Sequence, residues 1–332
     1  MWRASTTYIA LFTVIEMEIL KVDGLRKHYR KKGRAGRGVS VVRALDGVTM
    51  SVDRGEIYAV VGETGSGKST LGRIVVGLLE PTEGSVKIDG SDIFASGNSV
   101  LRNMRRTVQI IFQDPYSSLN PRFNVKQIVE EPLKLNRIPF TMDDVLDSLR
   151  TVGLIPAEDF LPRYPHEMSG GQRQRVAIAR SIVMKPEFIV ADEPVSMLDA
   201  SMRASFLDMI AALRKERGIS MMLISHDIST AYYASDRTGV LYLGKIVEEG
   251  RTDRIVEKPL HPYTKALIQA IPSLGKVVEK KVDIKGTMRS ATGQLRGCQF
   301  RDRCIFAMQK CEEEEPELHE AEKGHFVACH LY

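Results

Sequence analysis

The sequence predicts a mixed α/β fold with a parallel-stranded core, an antiparallel β subdomain, a helical subdomain and a small cysteine-rich C-terminal extension. Three observations predict it. An apolar run at residues 57–61 leads into a glycine-rich loop and then an amphipathic stretch at 71–79, a strand–loop–helix unit. The apolar runs at 188–191 and 220–225 flank a helical stretch at 201–217, and strand–helix–strand alternation implies parallel pairing through crossovers. Between residues 18 and 90, short apolar runs such as 48–52 and 86–88 are broken by glycine and charge, the pattern of antiparallel strands.

Other segments fill in this outline. Residues 26–37 are basic and glycine-spaced and read as a solvated hairpin loop; a lone Tyr29 is not the repeated aromatic interleaving that base stacking calls for, so nucleic acid is not an expected partner there. From about 114 to 184 the strand signals give way to helical periodicity, clearest at 143–152. A third apolar run at 240–247 reads as one more strand. The domain reading is a leader at 1–17 that is unstructured or not part of the natural protein, a main domain at 18–254, and an extension at 255–332.

Composition sets outer bounds. The 332 residues are 27% charged and 43% hydrophobic, which is ordinary for a soluble globular chain, and a net charge of +5 selects no partner. No run of about 18 apolar residues occurs, so no membrane span is expected. Residues 8–15 are apolar but short, with Glu16 and Glu18 close behind and no small-residue cleavage site, which argues against a secretory signal. All four cysteines, Cys298, Cys304, Cys311 and Cys329, fall near the end of the chain and belong together.

The chemistry begins at Gly62, Glu63, Thr64, Gly65, Ser66, Gly67, Lys68, Ser69 and Thr70, which match G-x-x-x-x-G-K-[ST] in the required context. Glycines let backbone amides curl around phosphates, and the helix N-terminus adds a favourable partial charge. Lys68 is expected to reach the β- and γ-phosphates of ATP and Ser69 to ligate Mg²⁺. A second apolar run ends in Asp192 and Glu193. Neighbouring side chains on a strand face opposite ways, which assigns Asp192 to the Mg²⁺ shell and Glu193 to the attacking water as general base.

Met168, Ser169, Gly170, Gly171 and Gln172 resemble the signature segment of ABC cassettes, usually LSGGQ, with Met in place of the leading Leu. The chain is thereby identified as resembling an ABC transporter ATP-binding subunit, a P-loop NTPase with a RecA-like parallel core. The resemblance implies a head-to-tail dimer, in which Ser169, Gly170, Gly171 and Gln172 close on ATP held by a second cassette, either a similar chain or this one. It also implies roles for Gln113 (the Q-loop, touching Mg²⁺ and the membrane partner), Asp199 (the D-loop 196–199, with Met197 for the commoner Ala), His226 (the switch histidine, catalytic with Glu193) and Tyr29 (stacking on adenine).

Residues 112–122, 163–167 and 261–272 are similar to their counterparts in oligopeptide/dipeptide importers, and so is the cysteine spacing of the tail. The implied function is an ATP-hydrolysing motor for di- and oligopeptide import. It would sit peripherally on the cytoplasmic face of the membrane, with two transmembrane permease subunits and, indirectly, an extracytoplasmic substrate-binding protein. Oligosaccharide or nickel import is the alternative within the family, and a soluble ABC ATPase acting on nucleic acid or the ribosome the alternative outside it. The four cysteines suit a [4Fe–4S] cluster, with Zn²⁺ as the alternative; the close cysteine pair usual in zinc knuckles is missing.

Overall fold

The computed structural model describes residues 18–32, 39–95, 98–114, 118–196, 198–271, 284, 286 and 296–332; the expected leader at 1–17 lies outside them. The chain opens with β1 (Glu18–Lys32), β2 (Val39–Asp53), β3 (Ile57–Val61), α1 (Lys68–Val75), β4 (Glu83–Ile88), β5 (Ser91–Asp92), α2 (Asn98–Thr107) and β6 (Val108–Ile111). A helical section follows: α3 (Val125–Leu135), α4 (Met142–Thr151) and α5 (Gly170–Ile182). The chain then re-enters the core through β7 (Phe188–Asp192), α6 (Ala200–Arg217), β8 (Ser220–Ser225), α7 (Ile228–Ala234), β9 (Arg237–Tyr242) and β10 (Lys245–Arg251). It finishes with α8 (Thr252–Glu257), α9 (Pro262–Gln269), α10 (Lys310–Glu313), β11 (His319–Glu322) and β12 (His325–Val327).

Two sheets organise these elements. β2-β1-β4-β5 is antiparallel; an eight-stranded sheet runs β11-β12-β10-β9-β3-β8-β7-β6, with β9, β3, β8, β7 and β6 parallel. Every residue of β3, β7 and β8 is buried, as expected of parallel strands covered on both faces. Alternation splits them: Ile57, Ile189, Met221 and Leu223 join the core of the helical section, whereas Tyr58, Phe188, Val190, Met222 and Ile224 join the core shared with the antiparallel sheet. Because Val61 is level with Ser225, and Asp192 with Ile224, the chain leaves β3, β7 and β8 at one edge of the sheet. That edge is where open α/β sheets place their ligands.

The helical section is stabilised locally at its helix starts. Asn124, Thr141 and Ser169 each close a capping box with Gln127, Asp144 and Gln172 respectively.

The structure corrects the sequence reading in three places. Residues 26–32 belong to β1 and pair with β2 rather than forming a loop; 33–37, the rest of that stretch, lie outside the described residues. The run at 240–247 is a hairpin, reversed by Leu243 and Gly244 at positive φ, not one strand. The tail also adds strands to the central sheet, since β12 pairs with β10, Gly250 opposite His325. The buried Glu248 carboxylate accepts from the Leu260 and His261 amides (2.8 Å each) and lies 2.8 Å from His325 Nε2, tying α9 and β12 to β10.

Candidate nucleotide site

The loop from Gly62 to Thr70 leaves the end of β3 and enters α1. Two of its glycines are obligatory for steric reasons. A Cβ on Gly62 would lie 2.2 Å from the Leu241 carbonyl oxygen; one on Gly67, at φ +113°, would lie 2.3 Å from that of Ala44. The loop is thus pressed against β9 on one side and β2 on the other. Thr64 and Gly65 are exposed at its mouth, Ser66 is buried, and Ser69 and Thr70 follow in the first turn of α1.

Lys68 is buried, and its Nζ donates to the carbonyls of Gly62 (2.7 Å) and Glu63 (2.9 Å) while standing 3.9 Å from Glu193 Oε1. Burial lowers its pKa; Glu193, Asp192 and Glu63 oppose that shift. Ser69 Oγ donates to Asp192 Oδ1 at 3.0 Å. Burial raises the Asp192 pKa, and the Ser69 bond pulls it back. These are two hard oxygens side by side, the donor type Mg²⁺ takes.

Glu193 is where separate segments meet. Gln113 Nε2 donates to its Oε2 at 3.2 Å, and His226 Nδ1 lies 3.1 Å from the same oxygen. Its backbone is at φ +47°, a costly region for a non-glycine residue, held by a bond from its amide to the Ile224 carbonyl (3.0 Å). Asp192 and Glu193 do face different partners. A backbone turn at Glu193, directly after β7, separates the two side chains in addition to strand alternation.

The remaining expected residues lie around this centre. Ser169 and Gln172 close on each other at the start of α5, and a Cβ on Gly171 would meet Met202 Sδ at 2.6 Å, so the 169–172 segment abuts the start of α6. Gly170 is the first residue of α5. Asp199 caps α6 by accepting from the Met202 amide (2.9 Å) and Ser201 Oγ (2.8 Å); these bonds lower its pKa. Met197 of the D-loop and 115–117 of the Q-loop segment lie outside the described residues. Tyr29 is exposed on β1 opposite Val42, two residues from the Ala44 carbonyl that abuts Gly67, with Lys27 Nζ 5.5 Å from its ring centre. The sequence reading missed Gln174, whose side chain donates to the Pro194 carbonyl just past Glu193, and the contacts of Glu63 with Tyr263 and Arg303. No short-range pattern links residues so far apart.

Cys298, Cys304, Cys311 and Cys329 line one cleft together with His261 and Phe300, and none forms a disulfide. Burial, reinforced by the neighbouring thiols, pushes Cys298 up to about 11; burial also raises Cys304 and Cys329. Against the expectation of a metal there, the described residues hold no group of three or more His, Cys, Asp or Glu arranged to bind a metal ion.

A family model described as ABC transporter matches residues 45–196, and one described as oligopeptide/dipeptide transporter, C-terminal region, matches 247–311. The oligopeptide transport ATP-binding protein AppF of Bacillus subtilis is 42% identical over 95% of this chain and 97% of its own. The dipeptide transport ATP-binding protein DppF of Haemophilus influenzae is 41% identical over 94% and 96%. This chain is an ABC transporter ATP-binding subunit of the oligopeptide/dipeptide group. Among solved structures, the ATP-binding cassette MJ0796, a dimer in a post-hydrolysis state with ADP and Pi, is 30% identical with a TM-score of 0.62, covering 70% of this chain and 98% of that one. CbiO1 from Clostridium perfringens, part of the transporter complex cbiONQ, is 27% identical with a TM-score of 0.63, covering 80% and 100%. An ABC subunit of this kind is an ATPase that dimerises and works with membrane permeases; among its described residues no helix is long and apolar enough to cross a membrane itself.

Closeness of the loop to β2 makes a direct prediction. Gly67→Ala forces a Cβ into the Ala44 carbonyl at a positive φ, and MgATP affinity, read by titration with a fluorescent ATP analogue, is expected to fall by at least about tenfold.

Proposed function

We propose that this subunit binds MgATP at the 62–70 loop and hydrolyses it to drive di- and oligopeptide import through two membrane-spanning permease subunits. The observation that carries the reading is the convergence of Lys68, Gln113 and His226 on Glu193, beside the Ser69–Asp192 pair. In it, Ser69 and Asp192 hold Mg²⁺ with Gln113, Lys68 neutralises the β- and γ-phosphates, Glu193 takes the proton of the attacking water, and His226 orients the γ-phosphate end. Tyr29 stacks on the adenine. Ser169, Gly170, Gly171 and Gln172, with Asp199, face the nucleotide of a second cassette in a head-to-tail dimer, and the amides at the start of α5 suit an anion there.

The peptide cargo is supported by the match of residues 247–311 and by the similarity to an oligopeptide and a dipeptide transport ATP-binding protein. A substrate-binding protein outside the membrane would deliver it, and the subunit would sit peripherally on the cytoplasmic face. The main domain ends near 254 in this reading, with 255–332 as an importer-type extension sharing its sheet.

The four-thiol cleft is proposed to hold a [4Fe–4S] cluster, in preference to Zn²⁺. The proposal rests on the cysteine count, one thiolate for each iron of a cubane, and on all four lining one cleft. Its role is structural. Iron and acid-labile sulfide assays on anaerobically purified protein are expected to give about four of each per chain; stoichiometric zinc without iron would contradict the cluster.

For hydrolysis, Glu193→Gln is expected to keep ATP binding while turnover drops about 10²- to 10⁴-fold. Near-normal turnover in that variant removes Glu193 from the role of base.

A further inference from the structure

Glu63 is an acidic residue inside the phosphate loop, and the C-terminal extension holds it from two elements. Its amide donates to Tyr263 Oη on α9 at 2.8 Å. Its carboxylate accepts from Arg303 Nη1 at 3.0 and 3.2 Å. Arg303 lies between Cys298 and Cys304; its side chain is only 9% exposed, and its guanidinium sits 5.8 Å from the Tyr242 ring centre and 5.9 Å from that of Phe300. Tyr242, Tyr263 and Phe300 pack on one another with ring centres 4.7–5.6 Å apart, so both holding groups share one rigid aromatic base.

An unpaired carboxylate here would stand beside the polyphosphate that the loop binds, and like charges in a partly buried site repel strongly. Arg303 removes that repulsion, and Tyr263 fixes the backbone from which Glu63 projects. With Lys68 on the Glu63 carbonyl, the residue is gripped at its amide, carbonyl and side chain.

We infer that Arg303 of the C-terminal extension is a positioning residue of the nucleotide site, neutralising Glu63 so that the phosphate loop accepts ATP. The inference rests on the ATP-binding reading above. It makes the extension part of the ATPase site rather than an appendage, and it assigns to the segment between two of the cysteines a task independent of any metal.

The test uses the full chain, with Mg²⁺ and a fluorescent ATP analogue, alongside steady-state ATPase rates. Arg303→Gln is expected to weaken nucleotide binding and raise KM by about tenfold with kcat little changed, and the deficit is expected to shrink at high salt. Adding Glu63→Gln to that variant is expected to restore binding to within about twofold of wild type, because the unpaired charge is gone. A purely structural Arg303 would show no such rescue. Should Arg303→Gln fail to fold, Arg303→Lys, which keeps the charge, is expected to bind within about threefold of wild type. Wild-type affinity in Arg303→Gln, no recovery in the double variant, or a Lys variant more than tenfold weaker would each overturn the inference. Failure of the wild-type chain to bind the analogue would instead overturn the parent reading.

Discussion

The site depends on one constraint: the carboxylate of Glu193 must stand among Lys68, Gln113 and His226, each delivered by a different strand-to-helix junction. The parallel sheet meets this constraint by register. β3, β8, β7 and β6 are paired in parallel with Val61 level with Ser225, Asp192 with Ile224 and Ile111 with Ala191, so the segments that follow them emerge together. The left-handed backbone at Glu193 is the local cost, offset by its amide bond to Ile224 and by the Ser196 bonds to its carbonyl. Everything outward serves this junction. The two cores on either face of β3, β7 and β8 hold the strands in register, and α5 reaches the turn after Glu193 through Gln174.

A second theme is how the cassette absorbs its own tail. β12 is hydrogen-bonded to β10, and Phe300 and Tyr263 share a core with Val61, Val240 and Tyr242 from the central strands. A boundary near residue 254 therefore separates stretches of sequence that share one sheet and one apolar cluster. The buried Glu248 and His325 make that junction specific, since a carboxylate with three partners is satisfied only when α9 and β12 are both in place.

Legibility in the sequence followed the range of the interaction. The phosphate loop was readable because its chemistry lies in nine consecutive residues whose glycines the local backbone demands. Asp192 and Glu193 were readable as the end of an apolar strand. The basic stretch at 26–32 was misread because β1 lies in a sheet whose exposed positions tolerate Lys and Arg, so charge hid the strand. The hairpin at 240–247 carries no Asn-Gly turn; Leu243 takes the positive φ instead, and the two strands ran together as one apolar run. The three residues of β12 are too few to signal a strand at all. Arg303 and Glu63 are 240 positions apart, beyond any periodicity.

The account stands or falls on ATP turnover coupled to peptide. The direct measurement is the ATPase rate of the subunit reconstituted with its native permeases and binding protein, with and without short peptides. Stimulation by di- and oligopeptides and not by oligosaccharides or nickel is the predicted result. Stimulation by sugars or nickel alone would contradict the peptide assignment, and copurification with no membrane subunit would contradict the motor role.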